Sequence, residues 1–324
     1  MPELTTAAHD LLQVVTVWPR VYSLGSPLGR EVAPREIGAL CASFLSRRAR
    51  MSAEESRIMI ACGAGAGLAA VYNVPLGGSL FALEVVLGTV RLPAVIAAVS
   101  TSAIAAYVAQ VGLGTQTPYV LQHLAANQSL IAWSIIAGPV FGLAAGWFAN
   151  AVQRARVAAP RDWHLALLCC VVLPVIGLIA VPFPQVLGNG KGLALSGFDG
   201  GLTIGAACTL LLLKTLASLG SLRAGAHGGV LTPSVAIGAL LATVTCEVWH
   251  WISPGAPLGA AAVVGGAAFL ASSMRMPLTA IVLMMEFTRV DHDFLIPMTF
   301  AVAASIGVLH VRGTWRQEPE YMMR

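Results

Sequence analysis

Charged side chains are scarce in this chain. They make up 10% of its 324 residues, whereas a typical soluble domain carries about 25%. Hydrophobic residues make up 57%, and the mean hydropathy is +0.78, so an ordinary soluble domain is excluded. The net charge of +4 comes mostly from scattered arginines, with no basic run longer than two residues. Such a distribution lacks the basic patch that nucleic-acid binding requires, and we predict no nucleic-acid partner.

Clusters of metal-ligating residues are also missing from the sequence. The cysteines show no spacing typical of a metal site, and we expect no metal, no disulfide and no cofactor. Free cysteine usually behaves as a small buried hydrophobe, and we predict that role here. The six cysteines are Cys41, Cys62, Cys169, Cys170, Cys208 and Cys246.

Long apolar stretches are abundant instead. Several exceed the ~20 residues that span the hydrocarbon core of a bilayer, while others are short or broken by proline or glycine. We therefore predict an all-α integral membrane protein that crosses the lipid bilayer several times, in the cell membrane if the source is bacterial. The stretches lie at about 58–90, 92–113, 130–152, 164–182, 203–222, 230–252, 257–287 and 294–311.

An internal repeat is the most informative pattern. Residues 68–76 read LAAVYNVPL and are followed by Glu84, and residues 270–278 read LASSMRMPL and are followed by Glu286 in the same register. A segment marked by glycine and proline precedes each copy. Matching interrupted segments in two halves of an apolar chain are typical of transporters, whose substrate site lies where the broken helices of the repeats meet.

The repeat suggests how the chain is divided. We predict a first repeat at 1–120, a polar connection at 121–129, a second repeat at 130–311 and a polar tail at 312–324. The second repeat has far more apolar chain before its glycine segment than the first. We therefore interpret the first repeat as incomplete and the chain as N-terminally shortened, and we expect no C-terminal nucleotide-sensing domain.

The two glycine segments predict an anion site. Irregular backbone inside a membrane is tolerated where it is buried or lines a cavity, and we expect helices to restart near Ile37 and Val235. Their free N–H groups and the positive ends of their dipoles would converge on one anion. The predicted backbone donors are Arg30, Glu31 and Val32 in the first half and Val230, Leu231 and Thr232 in the second.

Glu31 is the predicted gate of that site. A carboxylate beside converging amides would occupy the place of the anion and would withdraw when protonated, and ionisable groups within membrane segments are usually functional. We interpret Arg30 as its structural counter-charge. Glu84 and Glu286 are interpreted as groups that hydrogen-bond helix ends, outside the transport site.

These motifs together resemble the CLC family of chloride channels and proton/chloride antiporters. The residues that carry the resemblance are the segments 29–31 and 229–233, the two Pro-Leu repeats, and the segments 187–190, 214–218 and 295–298. The resemblance covers about residues 20–320. It implies an inverted-repeat bundle with broken helices and a homodimer with one chloride pathway per subunit. It also implies that Glu31 is the gating glutamate and that Val230 and Leu231 supply anion-binding amides.

Several positions depart from the family pattern. Pro34 lies one residue later than usual, Leu231 stands where phenylalanine is common, and Glu36 stands where glutamine is frequent. We find no equivalent of the segment that supplies a serine hydroxyl to the central anion. Tyr321 matches, with an offset, the C-terminal tyrosine that caps the same site, and is a candidate anion-binding hydroxyl.

Three functional alternatives remain open at this point. Family antiporters often use a second, inward-facing glutamate, but no Asp or Glu occurs between Glu84 and Asp162, which favours a chloride channel gated by Glu31. A proton/chloride antiporter and a non-conducting relative are the alternatives. An intramembrane hydrolase built on Ser79 is disfavoured, because the repeat brings no histidine beside that serine, and we predict that the protein is not an enzyme.

Overall fold

The computed structural model describes residues 25–115, 119, 121, 124–160 and 162–313. That part of the chain is helical and contains no strand apart from one isolated bridge. The α-helices within it are α1 (Val32–Arg48), α2 (Ala53–Tyr72), α3 (Pro75–Leu80), α4 (Leu92–Leu113), α5 (Gln128–Val157), α6 (His164–Ala180), α7 (Lys191–Phe198), α8 (Ile204–Arg223), α9 (Leu231–His250), α10 (Leu258–Met274), α11 (Pro277–Thr288) and α12 (Leu295–Val311). Helix α3 continues as a π-helical segment, Phe81–Leu87.

Five of the described helical segments are long and apolar enough to cross a membrane. The prediction of a multi-pass integral membrane protein is therefore confirmed. Other apolar helices, including α10 and α11, are shorter than a full span, as expected for a fold built from broken helices. The five long segments are Leu92–Gly112, Gln128–Val157, Ile204–Arg223, Leu231–His250 and His292–Val311.

Two of the predicted apolar stretches are each split by the proline of the repeat. Asn73 follows α2 and Arg275 follows α10 as C-cap residues, and both lie in the left-handed region with φ of 57° and 55°. Pro75 and Pro277 then open α3 and α11. Proline suits the first helical position and disfavours helix in the residue before it. Because the two breaks share one backbone conformation, the sequence repeat is also a structural repeat.

The two repeats hold each other through their acids. Glu84 accepts hydrogen bonds from the backbone N–H groups of Leu278 and Thr279, at 3.0 and 2.7 Å, where α11 begins. Glu286 accepts the equivalent pair at the start of α3, also at 3.0 and 2.7 Å. Each carboxylate thus satisfies the free amides of a helix start in the opposite repeat. The interpretation of both acids as groups that hydrogen-bond helix ends is confirmed.

Glycines allow the helices that lead from the site to approach closely. A Cβ on Gly38 of α1 would overlap the carbonyl of Gly63 of α2, and the reverse also holds. In the second repeat, a Cβ on Gly238 of α9 would lie 2.7 Å from the carbonyl oxygen of Gly265 of α10. Small residues at such crossings permit backbone contact in membrane bundles. The same glycine contact therefore fixes α1 and α9 against their neighbours.

The predicted helix starts near Ile37 and Val235 are wrong. Helix α1 begins at Val32 and α9 at Leu231, so the irregular backbone ends four or five residues earlier than predicted. In each helix the proline is the third residue of the first turn. A proline is tolerated there because the first-turn N–H groups have no intrahelical acceptor to lose.

The prediction that the cysteines are buried is wrong for three of them. Cys41, Cys170 and Cys208 are exposed, Cys169 is half-buried, and Cys62 and Cys246 are buried. A membrane protein presents apolar side chains on its outer face as well as inside. An apolar stretch in the sequence therefore does not tell which of its residues face the protein interior.

The bonds of Glu84 and Glu286 to helix starts in the opposite repeat form a carboxylate clasp, and this clasp yields a stability prediction. Glu286→Ala removes the acceptor of two amides at the start of α3, and hydrogen bonds to a charged group contribute about 1.5–3 kcal/mol each. We expect the variant to unfold at a clearly lower temperature in detergent, and Glu84→Ala to have an effect of similar size.

The matched control is Glu54→Ala. Glu54 pairs with Arg91 at 2.8 Å, but both side chains are about 70% exposed, and exposed pairs contribute about 0–1 kcal/mol. Equal melting temperatures for Glu286→Ala and Glu54→Ala would contradict the clasp.

Candidate anion site

The two glycine segments meet in the structure. Gly29 and Gly229 form an antiparallel bridge, in which the N–H of Gly29 donates to the carbonyl of Gly229 at 2.7 Å and the reverse bond measures 2.9 Å. Helix α1 begins at Val32, three residues beyond Gly29, and α9 begins at Leu231, two residues beyond Gly229. The predicted meeting of the two segments is therefore confirmed.

Glu31 lies fully buried at this junction, as the N-cap residue of α1. Its Oε1 accepts the backbone N–H of Leu231 at 3.0 Å, and its Oε2 accepts the hydroxyl of Tyr72 at 3.2 Å. Leu231 is the first residue of α9, where the free amides and the helix dipole favour negative charge. The carboxylate therefore occupies the kind of position in which an anion would bind.

The other predicted donors surround this contact. Val230 and Thr232 are buried, Val32 is half-buried, and Arg30 is exposed. The structure records a bond to the carboxylate from Leu231, and the role of the remaining backbone groups as anion ligands stays a prediction. Tyr321 lies outside the described residues.

Glycines on both sides leave room for the carboxylate in its observed position. A Cβ built on Gly29 or on Gly229 would overlap the carboxylate oxygens of Glu31. The adjacent Gly228 has its own neighbour, because a Cβ there would lie 2.6 Å from Cβ of Leu28. The bridge between the repeats thus forms a slot that holds the Glu31 carboxylate.

Two arginines that the sequence analysis missed act on Glu31 electrostatically. Arg35, one turn further along α1, places its guanidinium 4.7 Å from the centre of the Phe81 ring, and Arg156 donates to the carbonyl of Gly228 at 3.0 Å. Both interact with the Glu31 charge. Arg30, interpreted above as the counter-charge, is exposed, and its role stays a prediction. Residues four apart share a helix face, which was the available signal for Arg35.

Helix α8 supports the approach to the site. The buried Lys214 donates to the carbonyls of Val186 and Gly188 at 3.0 and 2.6 Å. Ser218, one turn later, donates to the carbonyl of Pro27 at 3.1 Å. These bonds connect α8 to two irregular segments, one at 186–188 and the other at Pro27. The chain is thereby held in place immediately before Gly29.

A pocket of about 240 Å³ lies next to the residues that cover Glu31. Its walls include Tyr72 and Thr232, together with the polar or cationic side chains of Arg30, Asn189 and Lys191. Sequence reasoning missed Tyr72 as well. The available signal was that Tyr72 places a hydroxyl in the repeat where the second copy has Met274.

Comparison with known proteins identifies the family. A family model described as voltage gated chloride channel matches residues 5–310. The chain belongs to the CLC family. It is 30% identical over 279 residues to the voltage-gated ClC-type chloride channel ClcB of Citrobacter koseri, covering 83% of this chain and 65% of the relative. It is 29% identical over 326 residues to the H⁺/Cl⁻ exchange transporter ClcA of Cronobacter sakazakii, covering 92% and 68%.

The fold of the chain is also that of solved CLC proteins. A slow cyanobacterial Cl⁻/H⁺ antiporter superposes with a TM-score of 0.81 at 21% identity, covering 90% of this chain and 70% of the antiporter. The chain therefore spans about two thirds of the length of its CLC relatives. Within the described residues, no group of three or more His, Cys, Asp or Glu side chains could hold a metal ion.

The glycine slot yields a prediction that needs no transport assay. Gly229→Ala places a methyl group on the Glu31 carboxylate, and overpacking of this kind usually costs about 1–3 kcal/mol. Removing the carboxylate frees the space. We therefore expect Gly229→Ala to lower the melting temperature markedly in the wild-type background, and much less in a Glu31→Ala background.

A double-mutant cycle measured by thermal unfolding in detergent makes this comparison. If Gly229→Ala costs the same stability in both backgrounds, the carboxylate does not lie in the slot.

Proposed function

We propose that this CLC protein conducts anions across the membrane, with chloride as the expected substrate and Glu31 as the gate. The observation that carries the proposal is the bond from the Leu231 amide to the buried Glu31 carboxylate. An anion that enters the site must displace that carboxylate, because both require the start of α9.

The protonation state of Glu31 determines whether its own side chain or a mobile anion occupies the site. The ionised carboxylate accepts the N–H of Leu231 and interacts electrostatically with Arg35 and Arg156. Once it is protonated, its attraction to these groups falls, while the arginines and the helix dipole keep their positive charge. The site then attracts a mobile anion in place of the side chain.

The remaining parts of the site are proposed by analogy with the family. The backbone N–H groups of Arg30, Glu31, Val32, Val230 and Thr232 would join that of Leu231 around the anion, and Tyr321 would contribute a hydroxyl. We also propose a homodimer with one pathway in each subunit, because the chain shares the fold and sequence of the CLC family.

For the coupling mode, we propose channel-like conduction with weak proton coupling. A proton relay through the membrane needs titratable stations, and the sequence has no carboxylate between Glu84 and Asp162. The second candidate is proton/chloride exchange, because the relatives include a protein described as an H⁺/Cl⁻ exchange transporter. The buried position of Glu31 suits a proton carrier as well as a gate.

Glu31→Gln tests the gate. The amide cannot carry the competing charge, so we expect chloride efflux from proteoliposomes to rise and its dependence on pH to disappear. The measurement is efflux recorded with a chloride electrode between pH 4 and pH 8, at equal protein density. Glu36→Gln, on the exposed side of the same helix turn, is the matched control and should leave both properties unchanged.

An unchanged efflux and pH profile in Glu31→Gln, with a conducting wild type, would refute Glu31 as the gate. A folded wild type and variant that both fail to pass anions would support the alternative of a non-conducting relative.

The coupling mode has its own test. With a chloride gradient imposed and the voltage clamped by valinomycin and K⁺, we expect chloride efflux without sustained proton movement in the opposite direction. The measurement is the lumenal pH reported by an entrapped dye. Uphill proton movement that is lost in Glu31→Ala would show that the exchange mechanism is correct and that the channel proposal is wrong.

A further inference from the structure

Two hydroxyl groups link the Glu31 carboxylate to the pocket. The Tyr72 hydroxyl lies 3.2 Å from Oε2 of Glu31 and 2.9 Å from Oγ1 of Thr232. Tyr72 is 7% exposed and Thr232 is 3% exposed, but both contribute to the pocket walls. The two hydroxyls therefore form a short chain of hydrogen bonds between the pocket and the carboxylate.

The direction of these bonds follows from proton counting. An ionised carboxylate only accepts hydrogen bonds, and a tyrosine hydroxyl has a single proton. Tyr72 must therefore donate to Glu31, which leaves its oxygen to accept the proton of Thr232. Hydrogen bonds to a charged acceptor are about twice as strong as neutral ones, so this arrangement favours the ionised carboxylate in its slot.

The ring of Tyr72 is fixed independently of its hydroxyl. It packs edge-on against Phe287 with ring centroids 5.2 Å apart, and Phe287 packs against Tyr119 at 6.0 Å. A phenylalanine at position 72 would keep these ring contacts. Loss of the hydroxyl can therefore be separated from loss of packing.

We propose that Tyr72 is a positioning residue that holds the Glu31 carboxylate on the anion site, and that Thr232 orients Tyr72 by donating its own proton. The proposal rests on the assignment of Glu31 as the gate. The strength of this hydroxyl latch, defined as the Tyr72 and Thr232 hydroxyls, sets how readily an anion displaces Glu31.

The direction of the hydrogen bonds in the latch reverses when Glu31 is protonated. The carboxyl group then donates to the oxygen of Tyr72, and Tyr72 donates to the oxygen of Thr232. The chain of bonds stays complete, but the carboxyl group loses the charge that the Leu231 amide, Arg35 and Arg156 stabilise. Tyr119, which packs against Phe287, also interacts electrostatically with Glu31.

The test is chloride binding to the purified full chain in detergent, measured by isothermal titration calorimetry. We expect Tyr72→Phe to bind chloride about tenfold more tightly than wild type, because the competing carboxylate has lost one charge-assisted bond. In a Glu31→Ala background, Tyr72→Phe should change the affinity less than twofold. Thr232→Val, which removes the hydroxyl that orients Tyr72, should shift the affinity in the direction of Tyr72→Phe, and Thr232→Ser, which keeps a hydroxyl, should reverse that shift.

Two results would overturn the latch. One is an affinity for Tyr72→Phe equal to that of wild type, and the other is an equal shift in both backgrounds, which would indicate a structural role for Tyr72. If no form binds chloride, or if Glu31→Ala does not bind it more tightly than wild type, the gate assignment fails. The latch is then judged by thermal unfolding of wild type, Tyr72→Phe, Glu31→Ala and the double variant. Coupling between positions 31 and 72 would support the contact, and additive effects would refute it.

Discussion

The structure depends on one constraint, which is that a helix beginning inside a membrane needs a negative partner for its free amides. No water is available there to satisfy those amides, and each unsatisfied group is costly. At the start of α9 the partner is the side chain of Glu31, which reaches across from the first repeat to the amide of Leu231. Because the carboxylate can be protonated, its contact with the amide can be broken and remade. The group that satisfies the helix start can therefore also act as a gate.

The same physics recurs where no gate is required. Glu84 and Glu286 cap helix starts in the opposite repeat. Each carboxylate accepts hydrogen bonds from two backbone amides, and the bond lengths match between the repeats. Glu31 breaks this symmetry, because the second repeat has Leu231 at the equivalent place beyond the glycine bridge. One repeat thus supplies the carboxylate and the other supplies the amide, so the site exists only between the two halves.

The sequence predicted the membrane class, the repeat, the meeting of the glycine segments and the candidate gate, because glycine, proline and acidic residues are rare enough in an apolar chain to be informative. It misplaced the helix starts, since a proline inside a first turn looks like a break. It did not point to Arg35 as a charge partner of Glu31, because the residue adjacent in sequence draws attention away from the one that shares a helix face. Tyr72 and the Thr232 hydroxyl could not be assigned, since their roles depend on a contact across 160 residues.

The central claim is that the Glu31 carboxylate occupies an anion position, and anomalous diffraction from crystals soaked in bromide tests it most directly. In Glu31→Ala, we expect an anomalous peak at the former place of the carboxylate, within hydrogen-bond distance of the Leu231 amide. Wild-type crystals should show Glu31 there and no bromide. A bromide peak at that position beside an undisplaced Glu31, or a peak in Glu31→Ala that lies elsewhere, would contradict the account.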